Sequence, residues 1–252
     1  MKKMKKIIAF TFLITLLGCD SDKGLNCFQS AGTIIQTEIT VETFTKIIVW
    51  ERAQLIIEQG PIQKVVIETG ENLLNDVDVY VEDGLLNIFN NNGCNVVRDY
   101  GITKIFVTTP NVTEIRNSSG LPVESIGTLR FADLTLLSED EENEDEFHTD
   151  GNFVLDLDVE NLSIVANGLS NFYLKGKATN ASFGFYASDG RIFAEDLIVQ
   201  NLEIFQRSTG DWNVNPQKSI TGKILSLGNV ISQTRPPIVD VEQPYRGKLI
   251  FE

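Results

Sequence analysis

A unit of about twenty residues recurs through the second half of the chain, and few folds accommodate such a period. Asn111-Val112-Thr113-Glu114-Ile115, Asn161-Leu162-Ser163-Ile164-Val165, Asn180-Ala181-Ser182-Phe183 and Asn201-Leu202-Glu203-Ile204-Phe205 each place an apolar-polar-apolar alternation after an asparagine. Each then runs into a small polar turn, at Asn117-Ser118-Ser119-Gly120, Asn167-Gly168, Ser188-Asp189-Gly190, Ser208-Thr209-Gly210 and Leu227-Gly228. The last four of these glycines are 22, 20 and 18 residues apart. A unit this short holds two or three strands and cannot bury its apolar face alone, but stacking unit on unit builds a continuous core. The pattern therefore predicts an all-β solenoid with repeats of about twenty residues. Leu162, Ala181 and Leu202 are expected in one inward column, and Ile164, Phe183 and Ile204 in the next. The asparagines are expected to form an amide ladder at a corner, and Gly190 and Gly210 to need positive φ. A β-sandwich with regular turns fits the same spacing. The absence of a six-residue period argues against a left-handed hexapeptide helix.

Upstream of the repeat, short runs rich in Val, Ile and Phe read as strands: 47–50, 55–57, 65–67, 77–81, 85–89 and 105–107. Gly60-Pro61, Thr69-Gly70, Asp83-Gly84 and Asn92-Gly93 punctuate them, and Asp83-Gly84 suits a two-residue hairpin. No window carries a helical stripe.

The N-terminus has a different character. Lys2, Lys3, Lys5 and Lys6 precede an apolar run from Ile7 to Leu17, and Leu16-Leu17-Gly18-Cys19 closes it. The run is too short for a comfortable bilayer span, and a small residue before a cysteine is what a lipoprotein signal peptidase requires. Residues 1–18 are thus expected to be a signal peptide and Cys19 the lipidated N-terminus, followed by a polar tether at 19–32 and a folded domain at 33–252. Lipid would then be the link to the membrane, with placement at the outer membrane, facing periplasm or exterior. Taking the four lysines of residues 1–18 from 21 Lys+Arg leaves 17 against 35 Asp+Glu, a net charge near −18. So acidic a surface repels nucleic acid and anionic headgroups.

With Cys19 spent on lipid, Cys27 and Cys94 remain, and an oxidising envelope favours their pairing. The bridge would close a loop of about 68 residues, worth roughly 4 kcal/mol in the chain-entropy model. Two buried free thiols are the alternative.

Catalytic chemistry has little support. The single histidine, His148, sits beside the acidic run of Glu139 to Glu146, so a Ser-His-Asp arrangement would depend on what reads as a solvated loop. No zinc spacing or phosphate-cradling loop is present, so neither metal nor cofactor is expected. The acidic segment 138–150 is read as solvated, with calcium binding as the alternative, although it lacks the alternation of an EF-hand. Polysaccharide cleavage remains the enzymatic rival, since it needs only two spaced acids and Asp156, Asp158, Asp189, Glu195, Asp196 and Asp211 are available. Trp50, Tyr80, Tyr100, Tyr173, Tyr186, Trp212 and Tyr245 are the aromatics able to stack on sugar rings. Tyr173 and Trp212 stand out as binding candidates, Trp212 for a rim position two residues past a turn glycine, the others reading as core or caps.

The chain resembles the head GIN domain family, named for auto-transporter adhesins, and within it the lipoprotein subgroup of flavobacteria and their relatives. The resemblance is carried by Asn26-Cys27-Phe28-Gln29-Ser30-Ala31-Gly32, the stretch 44–70, Gly70-Glu71-Asn72-Leu73-Leu74, Arg98-Asp99-Tyr100-Gly101, Asn117-Ser118-Ser119-Gly120 and Pro236-Pro237-Ile238-Val239. It implies a right-handed parallel β-helix-like fold with tight glycine turns and no catalytic residues. The function it implies is non-enzymatic adhesion or binding of an extracellular polysaccharide or surface protein. A structural envelope component without a specific ligand is the remaining alternative.

Overall fold

The computed structural model describes residues 29–94, 98–141 and 146–252, which form an all-β body built from one curled 17-stranded sheet. Helix among the described residues is confined to a 3-10 turn at Leu74–Asp76. The expected signal peptide, Cys19 and Cys27 lie outside them. Within the expected tether, Gln29 is buried and its Nε2 donates to Asn72 O at 2.6 Å, so contact with the body already exists at Gln29.

The first strands are β1 (Ile34–Ile39), β2 (Lys46–Val49), β3 (Gln54–Gln59), β4 (Lys64–Gly70), β5 (Val77–Glu82), β6 (Leu85–Asn90) and β7 (Lys104–Thr109). The apolar runs read from the sequence fall on β2 to β7, and in β4 and β7 every second residue is buried, as are Leu55 and Ile57 of β3, because side chains alternate across a sheet. Asp83 and Gly84 take φ of 50° and 76°, the left-handed values that a type I′ turn requires, and β5 and β6 pair antiparallel.

There follow β8 (Glu114–Asn117), β9 (Val123–Leu129), β10 (Asp133–Ser138), β11 (Phe153–Ala166), β12 (Phe172–Ser188), β13 (Ile192–Ser208), β14 (Trp212–Ile224), β15 (Val230–Ser232), β16 (Ile238–Glu242) and β17 (Leu249–Phe251). The long strands are bent. Phe172 and Phe185 lie near opposite ends of β12, where a straight strand would hold them about 40 Å apart, yet their rings are 5.5 Å apart. The curl brings two rows of strands face to face. One row runs β5, β6, β2, β8, β10 and the C-terminal part of β11; the other runs β1, β4, β7, β3, β9 and the N-terminal part of β11. From β11 to β15 each strand pairs in parallel with the next, β16 then pairs with β14 and β17 with β15, and side chains bridge residues 18 to 21 positions apart.

The inward columns are in the expected register: Leu162 pairs with Ala181 and Ala181 with Leu202, Ile164 with Phe183 and Phe183 with Ile204. All six are buried, and the core they share includes stacked Phe153 and Phe172 at 4.9 Å and an edge-on contact of Phe185 with Trp212 at 4.8 Å. The amide ladder is present. Asn161 donates to Asp133 at 2.8 Å, Asn180 to Asn161 at 2.9 Å, Asn201 to Asn180 at 3.0 Å, and Ser219 to Asn201 at 3.2 Å. Asn111 is out of step with it, because Thr135 pairs with Glu114 and the ladder position of β10 is Asp133.

Two further expectations are corrected. Gly190 and Gly210 do not have positive φ. Their corner instead brings backbones together: a Cβ on Gly190 would lie 2.2 Å from Ser170 O, one on Gly210 2.5 Å from Gly190 O, and one on Gly228 2.1 Å from Gly210 O. Trp212 is not at a rim. It opens β14 in register with Ile192 of the buried column, with 0 % of its surface exposed.

Candidate functional site

Outward positions of the long strands make an apolar column in which Val154 pairs with Tyr173 and Tyr173 with Phe193. The Tyr173 and Phe193 rings stack at 4.7 Å with planes 4° apart, and Tyr173 remains 41 % exposed. They border a depression of about 340 Å³ whose polar members include Asp156, Lys175, Glu195 and Asp196. Lys175 Nζ lies 3.4 Å from Asp156, which neutralises one carboxylate and leaves Glu195 and Asp196 exposed. On the other row a groove of about 470 Å³ follows the amide ladder and its neighbouring column of Ser163, Ser182 and Glu203.

Of the remaining acids named from the sequence, Asp158 is paired with Lys177 at 3.3 Å and Asp211 accepts the Asn229 N–H at 2.7 Å. Asp189 accepts a hydrogen bond from the Thr209 hydroxyl. These contacts spread the acids over separate structural tasks. Among the described residues no group of three or more His, Cys, Asp or Glu side chains is placed to hold a metal ion.

A third surface was not evident from the sequence. Tyr80 stacks on Phe89 at 6.1 Å, Phe89 on Trp50 at 5.1 Å, and Trp50 on Phe147 at 5.3 Å, while the Arg116 guanidinium lies 4.3 Å from the Phe147 ring centre. Strand register explains the column. Val49 pairs with Ile88 and with Asn117, so the next residue, Trp50, is flanked by Phe89 on one side and by the small Ser118 on the other. Phe147 fills the space beside Ser118, held there by the His148 N–H donating to Ser118 Oγ at 2.8 Å.

The start of the acidic segment is therefore not simply in solvent. Arg116 binds Glu139 Oε1 at 2.6 Å with both side chains mostly buried, and the far end of the segment is docked through Phe147 and His148. His148 is exposed, as a surface histidine should be, and its Nε2 lies 2.8 Å from Glu51 Oε1. That hydrogen bond is the main cause holding the Glu51 carboxyl below its usual range, against a raising effect of burial and with help from the Arg52 charge. Residues 142–145 lie outside the described residues. Cys94 is disulfide-bonded, and Cys27, its expected partner, lies outside as well.

The model of the family described as "Putative auto-transporter adhesin, head GIN domain" matches residues 43–236. The chain belongs to that family. Solved structures similar to this head GIN chain include a putative adhesin from Bacteroides fragilis NCTC 9343, 19% identical, with a TM-score of 0.78 over 88% of this chain and 99% of that one. A putative adhesin from Parabacteroides merdae ATCC 43184 is 18% identical, with a TM-score of 0.61 over 88% and 97%. A protein from Parabacteroides distasonis ATCC 8503, described as a putative lipid binding protein, is 18% identical, with a TM-score of 0.63 over 87% and 97%. At these identities the likeness is one of fold. No curated protein sequence matches this head GIN chain significantly. Among its described residues no helix is long and apolar enough to cross a membrane.

Proposed function

We propose that this head GIN protein is a non-enzymatic, lipid-anchored component of the cell envelope that binds an extracellular polysaccharide or surface protein. The observation that carries the reading is the Tyr173–Phe193 platform, two stacked rings standing out of a rigid sheet beside a depression with a few polar groups. Apolar walls with sparse, well-placed polar groups are the usual make-up of a ligand site. The fold in this reading is a right-handed parallel β-helix-like solenoid of about twenty residues per turn, supported by the 18-to-21-residue spacing of side-chain bonds between strands. Such a body displays the same side-chain column at every rung, which suits a polymer lying across several rungs.

The anchor in this reading is lipid on Cys19 at the outer membrane, with residues 1–18 removed. Mass spectrometry of the native N-terminus tests it, an unmodified Cys19 or cleavage elsewhere being the contrary result. The Cys27–Cys94 bridge belongs to the same reading. Full alkylation of both thiols in nonreduced, denatured protein would disprove it.

The binding reading is tested by presenting the full-length protein to glycan and matrix-protein arrays, scoring both retention and release of shortened sugars. Retention without products, weakened in Tyr173→Ala, is the expected result. One observation favours the rival reading of polysaccharide cleavage: Glu195 and Asp196 line the same depression as Tyr173. Product formation that disappears in Glu195→Gln or Asp196→Asn would establish it. No retention and no products across the panel would leave a structural role.

A further inference from the structure

Three depressions in the surface of the described residues meet at one side chain, Arg52. One, of about 200 Å³, has Trp50 and Phe89 as its apolar wall and Glu51, Asn90 and Asn91 as its polar members. The second, of about 210 Å³, includes Tyr100, Ser119, His148 and Asp150. The third, of about 50 Å³, includes Asn92, Arg98 and Thr103. Asn92 Oδ1 is buried there without a hydrogen-bond partner.

Arg52 itself has a φ of 67°. A residue with a Cβ rarely adopts that conformation, and such strain persists where the surroundings over-determine it, commonly at binding sites. Here the Arg52 N–H donates to Ser119 O at 3.2 Å, and its carbonyl accepts from Asn90 Nδ2 at 2.9 Å. The Arg52 side chain lines the same depression as Trp50 and Phe89. It pairs there with Glu51, and both side chains stay more than a third exposed. The Trp50 ring is oriented in turn by its Nε1, which reaches Asn87 Oδ1 at 3.5 Å, and by stacking on both sides. The column ends at Tyr80, 44 % exposed, on β5, which pairs only with β6 among the described residues.

The chemistry matches one ligand class. A pyranose ring has an apolar C–H patch that packs on aromatic surface, and a rim of vicinal hydroxyls that planar guanidinium, amide and carboxylate groups can bind in pairs. The edges of Trp50 and Phe89, whose faces are stacked on each other, on Phe147 and on Tyr80, supply the first; Arg52, Asn91 and Glu51 supply the second. The strong net negative charge of the chain, −14, argues against phosphate polymers and anionic headgroups.

We propose that this junction is a second carbohydrate subsite, which takes one pyranose ring of a glycan in the depression between the Trp50–Phe89 wall and Arg52. The proposal takes its ligand class from the binding reading above, but it stands on different residues, so the two can fail separately.

The test uses the two tryptophans of the chain. Trp212 is buried, so Trp212→Phe in the full-length protein leaves Trp50 as the one tryptophan, excited selectively above the tyrosine absorption. Maltohexaose, cellohexaose, xylohexaose, mannohexaose, chitohexaose and hexagalacturonate are titrated against it. At least one is expected to change Trp50 emission saturably. Arg52→Gly suits the left-handed backbone and should hold or raise the thermal midpoint, while weakening that response about tenfold or more. The proposal is overturned if none of the six alters Trp50 emission up to about 10 mM, or if Arg52→Gly binds as tightly as its parent. Array retention that depends on Tyr173 with a silent Trp50 removes this subsite and leaves the first face standing; silence at both removes both.

Discussion

Gly210 lies so close to Gly190 of the preceding strand connection that a Cβ on it would sit 2.5 Å from the Gly190 carbonyl oxygen. The same approach recurs between Gly228 and Gly210 and between Gly247 and Gly228. The corner is therefore closed by contact between backbones. Gly210→Ala must displace main chain, and it should cost about 2 kcal/mol or more. Gly84 is the control: its φ is 76° but nothing lies within 4 Å of its Cβ position, so Gly84→Ala should cost about 1 kcal/mol. Urea midpoints decide it, and equal losses for the two variants would refute the close-approach argument.

Ser208 ties the same corner together. Its hydroxyl donates to Gly190 O at 2.8 Å and accepts from Gly210 N at 3.1 Å, entirely buried. Ser208→Ala leaves both groups without a partner away from water and should cost about 1–3 kcal/mol. Asn180, central in the exposed amide ladder, also loses two bonds as Asn180→Ala, but water replaces them, and the loss should stay below about 1 kcal/mol. Denaturant titration of the pair checks the ranking.

Trp212 should tolerate phenylalanine. Its ring is buried against Phe185, but its Nε1 is buried without a partner. Removing an unsatisfied donor offsets part of the area lost, so Trp212→Phe should stay within about 1.5 kcal/mol of the parent. Trp212→Ala, which leaves a cavity, should cost about 3–5 kcal/mol. A loss as large for phenylalanine as for alanine would mean the indole nitrogen is satisfied in solution.

The Glu51–His148 contact predicts a pH effect with a definite sign. The folded protein holds the Glu51 carboxyl below its ordinary value of 4.5. The stabilisation is then full above that value and disappears as pH falls through the lower folded one. Parent protein should lose stability below about pH 5 more steeply than Glu51→Gln. Because the pair is exposed, the difference should shrink at high salt. Thermal midpoints from pH 7 downward in low and high salt read both effects.

Much of the body was legible because its signals are local. Alternation marked β2 to β7, and asparagines recurring at constant offset from apolar residues put Asn161, Asn180 and Asn201 in one ladder. Trp212 was misread because its distance from Gly210 was counted, whereas its phase with Phe172 and Ile192 places it inward. The aromatic column was missed for a different reason. Its rings come from β5, β6, the end of β2 and the edge of the acidic segment, and only long-range register brings these together. A partial sign existed in Tyr80 and Phe89 flanking the Asp83-Gly84 hairpin; nothing local pointed to Phe147.

The pairing of β2 with β8 and of β3 with β9 sets an order of events during synthesis. Lys46 meets Glu114, 68 residues downstream, so the earliest strands have no parallel partner on that side until half the chain has been made. From β12 onward each strand pairs with one finished no more than two strands earlier. Loop closure makes the first step slow and the later ones fast. The window in which this protein is most exposed to proteases and aggregation therefore opens early and shuts when β8 and β9 arrive, after which the remainder can be laid down as it emerges.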